Sequence, residues 1–184
     1  KSWVDANYRF IAAYQEVNSR IVQRQQALTL YVTLTASLLA ALLALHPGDG
    51  GRQLPVEWLV FAFPVTTICL AFLNYKTERA ITNLRSFLSS LERIANAHHQ
   101  LPSYNTDPRW ATGVNKVRRF HDYAAAVLAS GANAIGIGAV VRLYPERLAG
   151  KPLLLTLLVL GALLSILALL IIPRWSYQPL EEKY

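Results

Sequence analysis

Residues 151–173 read KPLLLTLLVLGALLSILALLIIP, and no residue between Lys151 and Arg174 carries a charge. A helix needs about 20 mostly apolar residues to cross the hydrocarbon core of a bilayer. The segment has no polar face that water could solvate. It is therefore typical of a transmembrane helix and not of a helix in an ordinary soluble domain.

Three more uncharged runs precede this one. They lie between Arg24 and Asp49, between Glu57 and Lys76, and between Asp122 and Arg142. Only 16% of the 184 residues are charged, against about 25% in typical soluble domains. We predict an all-α fold, a single membrane domain over residues 1–184 with four transmembrane helices and cytoplasmic helical extensions. The predicted spans are 27–46, 57–75, 123–141 and 153–172.

The basic residues are distributed unevenly among the polar segments. With four spans, residues 1–24, 76–122 and the tail from 174 lie on one side and hold 14 Lys and Arg residues, whereas 46–57 and 142–151 hold 4. Basic residues collect on the cytoplasmic side of membrane spans. The sequence therefore predicts that both termini and segment 76–122 are cytoplasmic. This topology accounts for the net charge of +7, so we expect no direct binding of nucleic acid.

Aromatic residues stand near the ends of the predicted spans. Amphipathic rings favour the level of the lipid headgroups, which predicts an interfacial position for each of them. The residues are Trp58, Tyr75, Tyr123, Tyr144, Trp175 and Tyr177.

The two cytoplasmic segments carry helical patterns. The pattern of residues 1–26 predicts a helix that continues into the first span. It is a stripe at spacings of three and four, formed by Val4, Tyr8, Ile11, Tyr14, Asn18 and Ile21. Segment 76–122 begins with a second stripe at spacings of three and four, formed by Ile81, Leu84, Leu88, Leu91 and Ala95. Such a stripe packs against another helix. That helix is either the N-terminal helix of the same chain or a neighbouring subunit in an oligomer.

The third span contains a row of small residues. Ser130, Ala134 and Gly138 lie four apart on one face of ASGANAIGIGA (129–139), which allows close helix approach in lipid. Asn133 is the most polar side chain in this third span. These four residues either pack against another helix, with Asn133 hydrogen-bonded across the contact, or line a water-filled path.

Sequence motifs of enzymes are not found in this chain. It contains no GxGxxG, P-loop, GxSxG or HExxH pattern, so we expect no enzymatic activity, no cofactor and no metal. The basic run of Lys116, Arg118 and Arg119 is expected to meet anionic headgroups, a nucleotide or an acidic partner. Together with Leu84, Leu88 and Leu91, it forms the predicted cytoplasmic interaction surface.

The order of the segments resembles a known class of membrane proteins. An Arg- and Gln-rich cytoplasmic helix (18–26) leads into a membrane hairpin, and a long polar helix (76–98) follows. This layout resembles that of small multi-span anti-phage effectors of prokaryotes, such as SLATT-type proteins and the four-span membrane subunit of the Kiwa system. The resemblance implies a homo-oligomer in the bacterial inner membrane that acts with a soluble or membrane protein partner. It rests on no diagnostic motif and assigns no functional residue.

Two functions follow as hypotheses. The first is an oligomeric membrane effector or pore-type subunit, with the third span at its axis. The second is a non-conducting membrane anchor or accessory subunit whose cytoplasmic helices dock a larger complex. An ion-coupled transporter is disfavoured, because no predicted span contains an Asp, Glu, Lys, Arg or His in its interior; His46 and Glu57 stand only at span ends.

Overall fold

The computed structural model describes residues 5–45, 56–101 and 103–179. These residues form helices joined by short turns and contain no β-strand, which confirms the all-α prediction for the described part of the chain. The long helices are α1 (Ala6–Ala44), α3 (Ala62–Glu92), α5 (Pro108–Leu143) and α7 (Pro152–Ile171). The short elements are α2 (Val56–Leu59), α4 (Ala97–Gln100), α6 (Pro145–Leu148) and the 3-10 turns Ile94–Asn96 and Ile172–Trp175.

Local sequence explains where these helices begin. Pro108, Pro145 and Pro152 each occupy the first position of a helix, where a missing N–H leaves no hydrogen bond unmade. Asp107 caps α5, because its Oδ1 accepts the backbone N–H of Arg109 at 2.8 Å. Gly150, in the turn before α7, has a φ of 85°, a conformation that glycine adopts at little cost.

Three helical segments are long and apolar enough to cross a membrane. They are Ala6–Ala44, Pro108–Leu143 and Pro152–Trp175, and they contain the first, third and fourth predicted spans. The second predicted span, 57–75, is not confirmed. A turn at residues 60–61 separates α2 from α3, and α3, which begins at Ala62, reaches the charged Lys76 before it attains the length of a full span. The predicted first outer turn, 46–51, lies outside the described residues.

The chain divides into two compact units. Unit 1 consists of Lys1–Gln26, Leu73–Asp122 and Ile172–Tyr184, and unit 2 consists of Ala27–Phe72 and Tyr123–Ile171. Unit 1 thus collects the polar segments, and unit 2 collects the apolar runs. Helices α1, α3 and α5 each contribute one part of their length to each unit.

In unit 2, the apolar parts of the four long helices pack in alternating directions. Tyr31 of α1 contacts Thr67 of α3, whereas Leu42 of α1 shares a core cluster with Val60 and Phe63. Later residues of α1 therefore contact earlier residues of the α2–α3 segment, so the two run antiparallel. The same cluster contains Val140 of α5, Tyr144 just after it and Leu158 near the start of α7, so α5 runs parallel to α1 and α7 runs antiparallel to both.

In unit 1, the polar parts of α1, α3 and α5 pack with the tail that follows α7. Its apolar core consists of Ala13 and Val17 from α1 with Ile81 and Leu88 from α3, and Phe10 and Leu84 pack beside them. The tail is held at several points. Thr82 Oγ1 donates a hydrogen bond to the carbonyl of Trp175 at 3.0 Å, and Asn115 donates one to the carbonyl of Tyr177 at 2.7 Å.

The predicted N-terminal helix is present from Ala6 and continues into the first apolar run as α1, but the stripe that indicated it is not its buried face. Tyr8 is 70% exposed, and Ile11, Tyr14 and Ile21 are also exposed. The buried positions are Ala13, Val17 and Arg24, which share one face at helical spacing. The buried arginine pairs with acidic residues of α3 and α5, which fixes the rotation of α1 and leaves the larger apolar side chains outside.

Two of the aromatic residues predicted at the membrane interface are buried in the protein. Tyr144 belongs to the core of unit 2 and donates a hydrogen bond to the carbonyl of Leu42 at 2.9 Å. Tyr177 is only 6% exposed and donates one to the carbonyl of Asn105 at 2.7 Å. Each hydroxyl finds a carbonyl partner inside its unit, which makes burial favourable. The other four rings are exposed: Trp58, Tyr75, Tyr123 and Trp175.

Candidate functional site

Four charged residues form a buried cluster in unit 1. Arg24 of α1 is 4% exposed and Glu78 of α3 is 1% exposed, and Arg24 Nη1 lies 3.3 Å from Glu78 Oε2. Arg24 also pairs with Asp122, and Arg118 pairs with Glu78. The two guanidiniums and two carboxylates balance in charge, as buried ions must if they are to stay ionised.

Sequence reasoning missed this cluster, although the pattern held a signal for it. The apolar stripe of α3 begins at Ile81, and continuing it backwards in steps of three and four reaches Glu78 and then Asn74. Both side chains are almost fully buried. A polar side chain that continues a core stripe predicts a buried polar partner, and for Glu78 these partners are Arg24 and Arg118.

A second buried arginine fixes the loop before α5. Arg85 donates hydrogen bonds to Asn105 Oδ1 and Asn115 Oδ1, each at 3.2 Å, and to the carbonyl of Tyr104 at 2.6 Å. Its guanidinium also lies 4.8 Å from the centre of the Tyr177 ring, a cation–π distance. Burial and the charge of Arg118 lower the pKa of Arg85 below its ordinary value. This arginine ties α3, the loop, α5 and the tail together.

A cavity of about 770 Å³ opens beside the charged cluster, within unit 1. Its apolar wall includes Ile21, Trp110, Val114 and Val117. The basic side chains that line it are Arg24, Arg109, Arg118 and His121, and no carboxylate is among its lining residues. The volume falls in the range of small-molecule sites, roughly 300–1,000 Å³.

His121 lies on the wall of this cavity, two residues before the apolar run that begins at Tyr123. Burial, together with the positive charges of Arg24 and Arg118, lowers the pKa of His121 below its ordinary value of 6.5. Its Nε2 is buried and has no hydrogen-bond partner among the described residues. The imidazole therefore has a buried nitrogen without a described partner, in the field of two arginines that disfavours its protonation.

The predicted small-residue face of the third span lies on the surface of unit 2. Ala134 and Gly138 are exposed and Ser130 is half-buried, and a Cβ at Gly138 would meet nothing within 4 Å. The close helix approach within the chain is at Gly136 instead, where a Cβ would lie 2.8 Å from the ring of Phe63. The predicted face therefore does not pack inside one chain.

Asn133 points inward and is hydrogen-bonded within the chain. Its Nδ2 donates to Thr67 Oγ1 and to the carbonyl of Ala129, each at 2.8 Å. The Thr67 hydroxyl donates to the carbonyl of Phe63 at 2.9 Å, so Tyr31, whose oxygen lies 3.1 Å away, acts as the donor in its contact with Thr67. These bonds match the packing alternative for Asn133.

The residues of the predicted cytoplasmic interaction surface have different environments. Leu88 is buried and Leu84 is half-buried, both in contact with the N-terminal part of α1, which matches packing within one chain. Leu91 is half-buried, and Lys116 and Arg119 are exposed. Arg118 binds Glu78 and lines the cavity. Of these six residues, Leu88 is only 1% exposed and so cannot contact a partner protein.

Comparison with known proteins gives no relative: no family model matches the sequence, and no curated protein or solved structure is significantly similar to it.

Proposed function

We propose that the chain is an integral membrane protein that crosses the membrane four times, with both termini and residues 76–122 in the cytoplasm. Arg24 and Glu78 pair within unit 1, so the chain between them leaves that unit and returns to it. If the apolar part of α1 crosses the membrane, the segment made of α2 and the first part of α3 must cross back. The 14-to-4 distribution of basic residues supports the orientation.

We further propose that the protein is a non-conducting membrane anchor or accessory subunit. The observation that carries this proposal is the direction of the polar groups in unit 2. Asn133, Thr67 and Tyr31 face inward and bond to one another. The exposed side of α7 is apolar except for Thr156, whose hydroxyl is bonded to the carbonyl of Pro152. It includes Leu153, Leu157, Leu160, Leu164 and Leu167. Such surfaces suit lipid contact and would not hydrate an ion path.

Planar-bilayer recordings test this proposal. We expect no ion current from the purified wild-type protein, and none from Asn133→Leu, because Asn133 serves packing and not conduction. The variant should only lose stability, by about 1 kcal/mol, the scale of hydrogen bonds within membranes. Current in the wild type that Asn133→Leu suppresses, with assembly intact, would contradict the anchor proposal.

The second candidate function is an oligomeric effector of prokaryotic defence in the bacterial inner membrane, as the resemblance to SLATT-type and Kiwa proteins implies. The exposed face with Ala134 and Gly138 favours it, because small residues on a lipid-facing surface allow another helix to approach closely. Native mass measurement of the complex tests it. Gly138→Leu should reduce the oligomer, whereas Leu167→Ala, on the exposed side of α7, should leave it unchanged.

A further inference from the structure

The cavity in unit 1 combines two kinds of surface. Arg24, Arg118 and His121 contribute basic groups to its lining. Ile21, Val114 and Val117 also line it and are all more than a third exposed, so this apolar part of the lining is open to a ligand. A site of this kind matches a molecule with an anionic group joined to an apolar part.

Two of the basic lining residues contain buried nitrogens that have no hydrogen-bond partner among the described residues. Arg24 is 4% exposed and bound to Glu78 and Asp122, yet its buried Nε has no hydrogen-bond partner among the described residues. His121 Nε2 is in the same situation. The two carboxylates that neutralise the guanidiniums do not line the cavity. An oxyanion in the cavity would therefore face basic side chains with no carboxylate among the lining residues, and charge-assisted hydrogen bonds to such side chains are strong.

The positions of these residues along the chain indicate where such an anion would come from. Arg24 stands three residues before the apolar part of α1, and His121 stands two residues before that of α5. At a rise of about 1.5 Å per residue, both lie within about 5 Å, along the helix, of the segments proposed to enter the membrane. Lipid headgroups occupy this level, and basic pockets between helices bind them.

We propose that this cavity binds an anionic amphiphile with a phosphate ester, and that in the membrane this ligand is an acidic phospholipid. The phosphate meets Arg24, Arg118 and His121, and the first part of an acyl chain lies along Ile21, Val114 and Val117. The assignment to a lipid rests on the proposed membrane function. The match to an anionic amphiphile rests on the cavity alone.

Binding of short-chain lipids to the purified full-length chain tests the proposal. The probes are dioctanoyl phosphatidylglycerol, dioctanoyl phosphatidylcholine, which has the same chains without net charge, and glycerol phosphate, which has the charge without the chains. We expect phosphatidylglycerol to bind at least tenfold more tightly than either of the others, as measured by microscale thermophoresis. Equal binding of the two lipids would overturn the proposal, and equal binding of glycerol phosphate would overturn its lipid part.

Two variants locate the binding site. Val117→Asp places a carboxylate on the cavity wall and should weaken phosphatidylglycerol binding at least tenfold. Phe120→Asp is its matched control, because Phe120 lies on the same helix at nearly the same exposure, 68% against 70%, and does not line the cavity. Equal effects of the two variants would overturn the site assignment.

Gly113→Phe separates loss of binding from loss of folding. Gly113 lines the cavity, and a Cβ there would meet nothing within 4 Å, so the ring can occupy the ligand space. The variant should lose binding while its thermal unfolding midpoint stays at or above that of the wild type, since glycine disfavours helix. Unchanged binding would overturn the proposal. Because these probes are dissolved monomers, the result does not depend on how many times the chain crosses a membrane.

Discussion

At the scale of single residues, the ionised groups buried in unit 1 carry the greatest energetic consequence. Glu78 accepts from two arginines, Arg24 and Arg118. Removing one member of such a cluster leaves the others buried without compensation, which costs roughly 3–5 kcal/mol, whereas exposed ion pairs contribute about 0–1 kcal/mol. Burial therefore decides which of the ion pairs in this chain matter.

We predict that Glu78→Gln lowers stability by about 3 kcal/mol, because two arginines lose their shared carboxylate. For a chain of this size, the thermal unfolding midpoint should fall by roughly 6–12 °C, measured by far-ultraviolet circular dichroism of the purified protein. Glu16→Gln is the control, because Glu16 pairs with Arg20 on a partly exposed surface. A drop of the same size in both variants would show that the buried cluster has no special weight.

We also predict that His121 stays neutral at a pH where an ordinary histidine is half protonated. Arg24 from α1 and Arg118 from α5 face it, and they lower its pKa together with burial. The folded chain then binds this proton more weakly than the unfolded chain. The resulting loss of stability is absent well above pH 6.5 and grows as the pH falls below it.

A nuclear magnetic resonance titration checks the prediction, with His121→Gln to assign the signal. The midpoint should lie below 6.5, and Arg118→Gln should raise it by removing one of the two positive charges. A midpoint at or above 6.5 would contradict the arrangement of charges around this residue.

At the scale of elements, the contact between α5 and α3 depends on Gly136, which has no side chain. Gly136 lets the Phe63 ring lie against the α5 backbone, whereas Gly138, half a turn further on, faces open space. The two glycines differ by only two positions in sequence and share the same helix. Their different surroundings follow from the rotation of α5, which Asn133 fixes through its hydrogen bond to Thr67.

We predict that Gly136→Ala and Gly138→Ala have opposite effects on stability. The added methyl group at Gly136 must displace the Phe63 ring, and such overpacking costs about 1–3 kcal/mol. At Gly138 it meets no neighbour and should raise helix stability by up to about 1 kcal/mol. Thermal unfolding of the two purified variants measures the difference. A lower midpoint for Gly138→Ala than for Gly136→Ala would mean that α5 is rotated differently.

At the scale of the whole molecule, the number of crossings is the decisive question. Three segments have the length and composition of a membrane span, whereas the apolar part of α3, from Ala62 to Tyr75, is shorter than a full span. The pairing of Arg24 with Glu78 argues for a return crossing through this short stretch. A short apolar segment can span a bilayer if the bilayer thins locally or flanking residues reach the interface.

We predict that cysteines at Arg9 and Lys116 report the same side of the membrane, and that a cysteine at Glu146 reports the other side. All three positions are exposed. Cys69, the one cysteine of the sequence, is first replaced by serine so that it does not react with the reagent. In intact cells, an impermeant thiol reagent should label Glu146→Cys, but not Arg9→Cys or Lys116→Cys. Three crossings would place Arg9 and Lys116 on opposite sides, so labelling of only one of these two would contradict the four-span topology.

The sequence by itself determined the helices and three of the segments that can span a membrane. Both properties depend on local features: long apolar runs, the absence of Pro and Gly between residues 1 and 46, and Pro at the start of α5 and α7. It also predicted the packing of Leu84 and Leu88 on α1 as one of two alternatives, because a regular stripe must be covered by some helix.

Only the tertiary structure decided which partner each polar group meets. Arg24 and Glu78 are 54 positions apart, and no local pattern links them. Their pairing sets the rotation of α1, which leaves Tyr8 and Ile11 exposed. It also brings together the basic residues that line the cavity. Tyrosine is a residue type that favours the membrane interface, yet Tyr144 and Tyr177 each donate a hydrogen bond to a carbonyl inside their own unit. Burial of a polar group is favourable only where a partner is present, and long-range packing supplies that partner.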